Sequence, residues 1–166
     1  MVRLYEPRLQ DLWFRQEMLA DPETMSYNHA WGGIISFPEE RWNGWFSRWV
    51  ARPEGQRFYR YVTDEAGVFV GEIAFHNDET TGRYLANILI AARYRRRGYG
   101  GQALDLLCSA AAEAGVSALY DDIAVDNPAV GMFLRHGFSE EGRTESVIIL
   151  KKELEDHDRT RGRNRQ

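Results

Sequence analysis

The sequence predicts a mixed α/β domain built around one central sheet. Two segments rich in aromatic and β-branched residues, 57–63 and 68–76, flank a short polar turn, as in a β-hairpin. An almost continuously apolar run at 84–91 predicts a buried strand, a helical pattern covers 101–114, and a further strand is predicted over 118–125. A hairpin that leads into alternating strands and helices is typical of a layered α/β sheet.

Weaker patterns predict the other elements. Helical spacing near the N-terminus ends before Pro22, because the residue preceding a proline avoids the helical region. Acidic residues after Pro38 suit the first turn of a helix, and its tryptophans are predicted to pack in the core. In chain order, the predicted elements are a strand at 4–5, a helix over 9–20, a loop over 24–35, a helix from Pro38, a helix over 127–136 and a last strand over 145–154.

Composition limits the function classes. The chain has 166 residues, so we expect one domain, 1–154, followed by a charged tail, 155–166. A formal net charge of −4 argues against nucleic-acid binding, and the single cysteine excludes a disulfide framework or a zinc site of several cysteines. No apolar run reaches the roughly 20 residues that span a bilayer, and the N-terminus lacks the apolar core of a signal peptide. We therefore expect a cytoplasmic protein with no membrane segment and no metal.

The segment RYRRRGYGGQAL, residues 93–104, concentrates positive charge before a helix. Four arginines are followed by three glycines and then by helix-forming residues. The first amides of a helix lack intrahelical partners, and the helix dipole favours an anion there. Glycine lets the backbone approach a phosphate closely, and arginine pairs with phosphate oxygens. The segment therefore predicts a site for a diphosphate.

Two other phosphate-binding motifs fit less well. The chain has no GxxxxGK sequence followed by Ser or Thr, which excludes a P-loop. Residues 98–103 satisfy the Rossmann pattern GxGxxG/A, with two aspartates about twenty residues later. However, a Rossmann strand would run almost directly into the first glycine, whereas seven residues separate Ile90 from Gly98. The rest of the chain is also too short for a second nucleotide-binding half.

Residues 95–100, RRRGYG, resemble the acetyl-coenzyme A motif of the GCN5-related N-acetyltransferases (GNATs), in which Gln or Arg is followed after two residues by Gly-x-Gly or Gly-x-Ala. Downstream, 126–129 and 136–138 resemble the family's second signature, an Asn-led helix that closes on Gly-Phe. The resemblance covers about residues 67–152. It implies the GNAT fold, a mostly antiparallel sheet with helices on both faces and a parallel pair, the fourth and fifth strands, that splays apart.

The resemblance also implies acetyl-coenzyme A as the cofactor. Backbone amides of 96–101 would hold its diphosphate, and the backbone of 88–90 would pair with its pantetheine arm like an added strand. An amide near Ile90 would stabilise the oxyanion that forms when the thioester is attacked. The implied cofactor-binding residues are Ile88, Leu89, Ile90, Arg95, Arg96, Arg97, Gly98, Tyr99, Gly100, Gly101 and Asn127.

Three carboxylates are candidate catalytic residues that could take the proton of an acceptor amine. Glu72 lies on an otherwise apolar strand face, where an acid is unexpected. Asp121 and Asp122 interrupt an apolar strand with side chains on opposite faces. By the resemblance, counting back from Asn127 places the base at Asp122, whereas counting back from Phe138 places it at Asp121. A structural ion pair is the alternative for each acid.

The chain departs from the family at one position. Many GNATs carry a tyrosine that protonates the leaving thiolate, and here Phe133, or Leu134 in the other register, stands in its place. A thiol with a pKa of about 8.5 could leave as thiolate, or Tyr84 or Tyr27 could donate instead. A non-catalytic module that senses acyl-coenzyme A is therefore the alternative to an enzyme.

The acceptor is predicted from the irregular segment after the first helix. Its aromatic residues and the nearby carboxylates suit a cation, through ion pairing and cation–π contact. The predicted function is direct transfer of acetyl to the primary amine of a small cationic metabolite or antibiotic. A protein N-terminus or lysine as acceptor, and a homodimer, are left open. The predicted substrate-binding residues are Tyr27, His29, Trp31 and Tyr84.

Overall fold

The computed structural model describes residues 1–53 and 56–155. The predicted tail, 155–166, therefore lies outside the described residues except for its first residue. The strands are β1 (Arg3–Tyr5), β2 (Phe58–Thr63), β3 (Phe69–Asn77), β4 (Tyr84–Ile90), β5 (Ala118–Ala124), β6 (Ser139–Arg143) and β7 (Val147–Glu153). The α-helices are α1 (Trp13–Ala20), α2 (Trp42–Phe46), α3 (Tyr99–Glu113) and α4 (Val130–Arg135). Short 3-10 or π segments adjoin them at Leu9–Leu12, Ser26–Trp31, Glu39–Arg41, Ser47–Ala51 and Ala92–Tyr94.

The seven strands form one open sheet in the order β1-β2-β3-β4-β5-β7-β6. Neighbouring strands are antiparallel except β4 and β5, which are parallel. The prediction of a mixed, mostly antiparallel sheet with a parallel β4/β5 pair is confirmed. None of the helices in the described ranges is long and apolar enough to cross a membrane.

Two hydrophobic cores cover the two faces of the sheet. On one face, α3 and α4 bury side chains such as Leu104, Leu107 and Phe133 against the strands, and we call this the α3 face. On the other, α1 buries Phe14 and Met18 beside the aromatic residues of α2, and we call this the α1 face. Helices therefore lie on both faces, as predicted, and each core depends on the alternation of side chains along the strands.

Three local differences separate the structure from the sequence predictions. β6, the sequence SEEGR, was not predicted because it is polar and exposed, and it lies at the edge of the sheet, where main-chain pairing rather than apolar alternation forms a strand. The predicted loop at 24–35 contains the 3-10 helix Ser26–Trp31. α3 also begins earlier than predicted, at Tyr99, so the glycines belong to its first turn.

Candidate active site

The parallel strands β4 and β5 open into a gap, which we call the wedge. Among the described residues they pair only through Tyr84 and Leu85 of β4, at their amino ends. Further along, β4 stays paired with β3 as far as Ile90, and β5 stays paired with β7 as far as Ala124. The facing edges of β4 and β5 separate while their other edges stay paired, so residues 86–90 have no strand partner on the β5 side among the described residues.

The glycine turn lies at the mouth of the wedge. β4 ends at Ile90, and α3 begins after Gly98, which has a left-handed φ of 79°. Arg96 also has a positive φ, 62°, which is uncommon for a residue other than glycine. In the described part of the chain, the N–H groups of 96–101 have no backbone acceptor, since they precede or begin a helix. These free amides and the positive end of the helix dipole form a cradle for an anion.

Helix α4 closes one side of this mouth. A Cβ atom placed on Gly100 would lie 2.9 Å from Sδ of Met132 and 3.8 Å from Cγ1 of Ile90. On Gly101 it would lie 2.6 Å from Nε2 of His136. Side chains at these two positions would have to displace the Met132 and His136 side chains, so the glycines permit these side chains to pack closely against α3.

Two of the four arginines hold the fold together. Arg93 pairs with Glu17 at 2.8 Å on the surface. Arg95 turns inward and donates from Nε to the Ile90 carbonyl at 3.0 Å and from Nη2 to the Thr24 carbonyl at 2.7 Å. This guanidinium ties the chain that follows α1 to the end of β4. The side-chain hydrogen bonds of Arg95 therefore go to backbone carbonyls of the protein itself.

The other two arginines, Arg96 and Arg97, are exposed beside the free amides. We expect Arg96→Ala to weaken coenzyme A binding by about 1–3 kcal/mol, the scale of one hydrogen bond to a charged group, and to leave stability nearly unchanged. Arg95→Ala is the matched control, and it should lower the free energy of unfolding because the carbonyls of Glu23, Thr24 and Ile90 lose their donor. Calorimetric binding and denaturant unfolding measure the two effects. Equal losses of affinity, with no change in the stability of Arg95→Ala, would contradict this division of roles.

Asp121 and Asp122 lie where the wedge begins. They are the first residues of β5 beyond Tyr120, the last one paired with β4. Asp121 is half-buried and shares the α3 face with Leu119 and Ile123, whereas Asp122 points to the α1 face and is exposed. Burial, followed by the neighbouring Asp122 charge, raises the pKa of Asp121 well above its usual range. The two acids thus occupy opposite sides of the vertex.

Tyr27 reaches the vertex from the α1 face. It lies half-buried on the 3-10 helix Ser26–Trp31. Burial, together with the charges of Glu72 and Asp121, raises the pKa of Tyr27 to about 12. The Tyr27 ring packs against the α1-face core.

The other predicted acceptor residues are spread more widely. His29 and Trp31 are exposed on the same 3-10 helix as Tyr27, and Nε2 of His29 lies 3.6 Å from Oδ2 of Asp126, which follows β5. Tyr84 instead packs against the α3-face core at the closed end of the wedge. The structure therefore brings Tyr27, His29 and Trp31 to one side of the vertex and leaves Tyr84 apart from them.

Glu72 is neutralised inside the α1-face core. Its side chain is 1% exposed, and both carboxylate oxygens lie 2.6 Å from Nη1 of Arg15. The Tyr59 hydroxyl donates to one of these oxygens. The Arg15 guanidinium carbon lies 4.5 Å from the ring centre of Trp45 and 5.1 Å from that of Phe37. Burial alone would lower the pKa of Arg15, but its interactions with Glu72 and Tyr59 outweigh burial and raise it.

Sequence reasoning missed Arg15, although a signal was present. It falls three residues after Leu12 and four before Leu19, both buried, so it lies on the apolar stripe of its helix. A cation in that position indicates a buried partner. Which acid it meets depends on sheet register, since Glu72 is 57 residues away in the chain.

Glu72→Gln is expected to lower the free energy of unfolding by about 3–5 kcal/mol, because it leaves the Arg15 charge buried without its partner. The double variant Arg15→Met, Glu72→Gln is the control, and it should be more stable than Glu72→Gln alone. Denaturant unfolding measures both. If Glu72→Gln unfolds like the wild type but loses turnover, Glu72 is the base that the sequence analysis considered.

The family model of the acetyltransferase (GNAT) family matches residues 12–138, most of the chain. The chain belongs to the GNAT family. Membership makes the protein an N-acetyltransferase, and acetyl-coenzyme A is the cofactor of this family. No curated protein matches the sequence significantly.

Solved GNAT structures share the fold at low identity. Spermidine N-acetyltransferase from Vibrio cholerae, crystallised with CoA and spermine, aligns with a TM-score of 0.78 and 17% identity over 92% of this chain and 95% of that chain. A GNAT-family acetyltransferase from Bacillus anthracis aligns with a TM-score of 0.73 and 16% identity, over 92% of this chain and 95% of that chain. The GNAT domain of PAT from S. lividans aligns with a TM-score of 0.73 and 14% identity, over 92% of this chain and 89% of that chain.

The residues of this GNAT protein fit acetyl-coenzyme A at two places. The free amides of 96–101 and the exposed Arg96 and Arg97 suit its diphosphate, and the open edge of β4 suits the amide-containing pantetheine arm. Of the two residues predicted to take the place of the family's tyrosine, Phe133 packs in the core with its ring centroid 5.0 Å from that of Phe138, and Leu134 is exposed. Asn127 accepts the Ala129 N–H at 2.9 Å, so its side-chain oxygen stabilises the turn into α4.

Proposed function

We propose that this protein transfers the acetyl group of acetyl-coenzyme A directly to the primary amine of a small cationic molecule. The observation that carries the proposal is the pair of acids, Asp121 and Asp122, on opposite faces where β4 and β5 separate. The amides of 96–101 would bind the diphosphate, and the open edge of β4 would orient the pantetheine arm. When bound, the cofactor supplies a thioester carbonyl for attack and a thiolate as leaving group.

Asp122 is the proposed general base. A lysine-like amine has a pKa of about 10.4, so it must lose a proton before it can attack. Asp122 is exposed on the α1 face, where an acceptor can reach it, and a carboxylate can take the proton directly or through water. Glu72, the other candidate on that face, already accepts hydrogen bonds from Arg15 and Tyr59.

The charges around the vertex favour a cationic acceptor. Asp122 and Asp126 are exposed, and the Trp31 side chain is 55% exposed on the same side of the wedge. Carboxylates attract an ammonium group, and an indole face adds cation–π attraction. The fold shared with a spermidine N-acetyltransferase supports the same substrate class.

The test is thiol release from acetyl-coenzyme A over a panel of polyamines, amino acids, peptides with free N-termini and lysine peptides, with products weighed by mass spectrometry. We expect polyamine-like substrates to react fastest. A preference for peptides would move the acceptor to protein N-termini or lysines. Tight coenzyme A binding without release on any amine would favour the acyl-coenzyme A sensor, which Phe133 makes the second candidate. The cytoplasmic location and the homodimer stay predictions.

A further inference from the structure

The α3 face of the wedge vertex holds a half-buried acid among apolar side chains. Asp121 alternates with Leu119 and Ile123 along β5 and lies opposite Leu150 of β7. Phe133 of α4 belongs to the same core cluster, and its ring carries no proton to donate. A departing thiolate on this face would therefore meet Asp121 as its nearest acidic group on β5.

We propose that Asp121 is a general acid that gives its proton to the sulfur of the departing thiol, while Asp122 takes a proton from the amine. The inference rests on the proposed acetyl transfer. Consecutive strand residues point to opposite faces, so the vertex carries one acid toward the acceptor side and one toward the α3 face. Both act where β4 and β5 part, the place at which a ligand in the wedge meets β5.

Asp121 is more buried than Asp122, as expected if Asp121 is the acid and Asp122 is the base. Burial and the adjacent Asp122 charge raise the pKa of Asp121, which favours the protonated form that an acid needs, although the Asp122 N–H works in the opposite direction. Neighbouring acids whose environments separate their protonation are a basis for assigning acid and base. Titratable groups on the elements around Asp121 are Tyr27 on the 3-10 helix, Tyr84 on β4, Lys152 on β7, Cys108 on α3 and His136 after α4.

Of these groups, Lys152 carries a charge that would oppose protonation of Asp121. Its Nζ instead donates to the His136 carbonyl at 2.8 Å, and the residue pairs with Leu119 rather than with Asp121. Tyr27 stays neutral up to about pH 12, so its hydroxyl adds no charge at the vertex. The proton on Asp121 is therefore held by burial and by the repulsion of Asp122.

Atoms and charges balance over the step. One C–N bond forms between the amine nitrogen and the acetyl carbon, and the C–S bond breaks with its electron pair going to sulfur. The Asp121 proton goes to that sulfur. The ammonium nitrogen loses two protons, one before attack and one as the amide forms; Asp122 takes each in turn and releases the first to solvent before it takes the second. Exchange with solvent then returns a proton to Asp121 and removes one from Asp122, so neither residue is consumed.

The test compares the wild type with Asp121→Asn, which keeps the shape of the side chain without an acidic proton. A carboxyl whose pKa is raised by folding stabilises the protein fully below its unfolded pKa, and this stabilisation is lost as pH rises through the folded value. We therefore expect wild-type stability to fall relative to Asp121→Asn as the pH rises above the usual range of an aspartate pKa. Turnover of the variant should fall about 10- to 100-fold, less than the usual effect of an acid because a thiol is already a fair leaving group.

The pH profile of turnover gives the second reading. Wild-type kcat should decline on the alkaline side as Asp121 loses its proton, and Asp121→Asn should lack this decline while binding coenzyme A normally. If the stabilities of the wild type and Asp121→Asn change with pH in the same way, or if the variant has wild-type kcat at every pH, Asp121 is not the acid. The proposed acetyl transfer would still stand. A wild type that acetylates no amine would overturn the proposed function and the acid role with it, whatever the stability profiles show.

Discussion

Gly98→Val is expected to reduce coenzyme A affinity by more than about 100-fold, or about 2.7 kcal/mol. Gly98 has a φ of 79°, which a β-branched residue rarely adopts, and its surroundings leave space for a side chain. The effect therefore comes from the backbone, because the turn would relax and redirect the amides of 96–101 that form the anion cradle. Calorimetric titration with coenzyme A measures it.

Gly82→Val is the matched control for backbone strain. Gly82 has a φ of 72° and no neighbour within 4 Å of a Cβ atom, but it lies in the turn between β3 and β4, away from the cradle. Both variants should lose similar stability, and Gly82→Val should keep its coenzyme A affinity. Normal binding by Gly98→Val would remove the glycine turn from the cofactor site. Gly100→Val should also lose binding, by displacing Met132 from the mouth of the wedge.

Asp122→Asn is expected to lower kcat by about 10²–10⁴, the usual range for loss of general-base catalysis, with little change in cofactor affinity. The amide keeps the shape of the side chain but cannot accept the amine proton. The loss should shrink at high pH, because more of the amine then arrives already neutral. Steady-state kinetics with the best amine of the panel, over a range of pH, measures the change.

Two outcomes would reassign Asp122. A raised KM with nearly constant kcat would mean that the carboxylate binds a cationic substrate and takes no proton. The Asp126→Asn variant is the control for that case, since Asp126 is exposed nearby and already lies close to His29. Equal effects of both variants on KM alone would replace catalysis with electrostatic attraction.

The arginine cluster shows how far a sequence motif can be interpreted. Spacing alone located the turn between a strand and a helix, and the structure places it there. It could not separate Arg95, which binds the Ile90 and Thr24 carbonyls, from Arg96, which is exposed. The difference comes from the direction of each side chain in an irregular loop, and no period in the sequence encodes that direction.

The acids show that a sequence pattern predicts local geometry but not contacts between residues far apart in the chain. Strand alternation was enough to place Asp121 and Asp122 on opposite faces, because that geometry is local. Glu72 looked like a candidate base because an acid on an apolar strand was unexplained. Its partner Arg15 comes from α1 and reaches it only when that helix packs on the sheet.

The sequence by itself determined the mixed sheet, the family motif and the positions of the glycine turn and the paired aspartates, since each depends on short-range periodicity and spacing. Only the tertiary structure decided which arginines face outward, that Glu72 is paired with Arg15, and that Tyr27 packs on the α1 face while Tyr84 packs on the α3 face. These outcomes depend on contacts between elements distant in the chain. Such contacts are fixed by packing and burial, which a pattern of residue types does not specify.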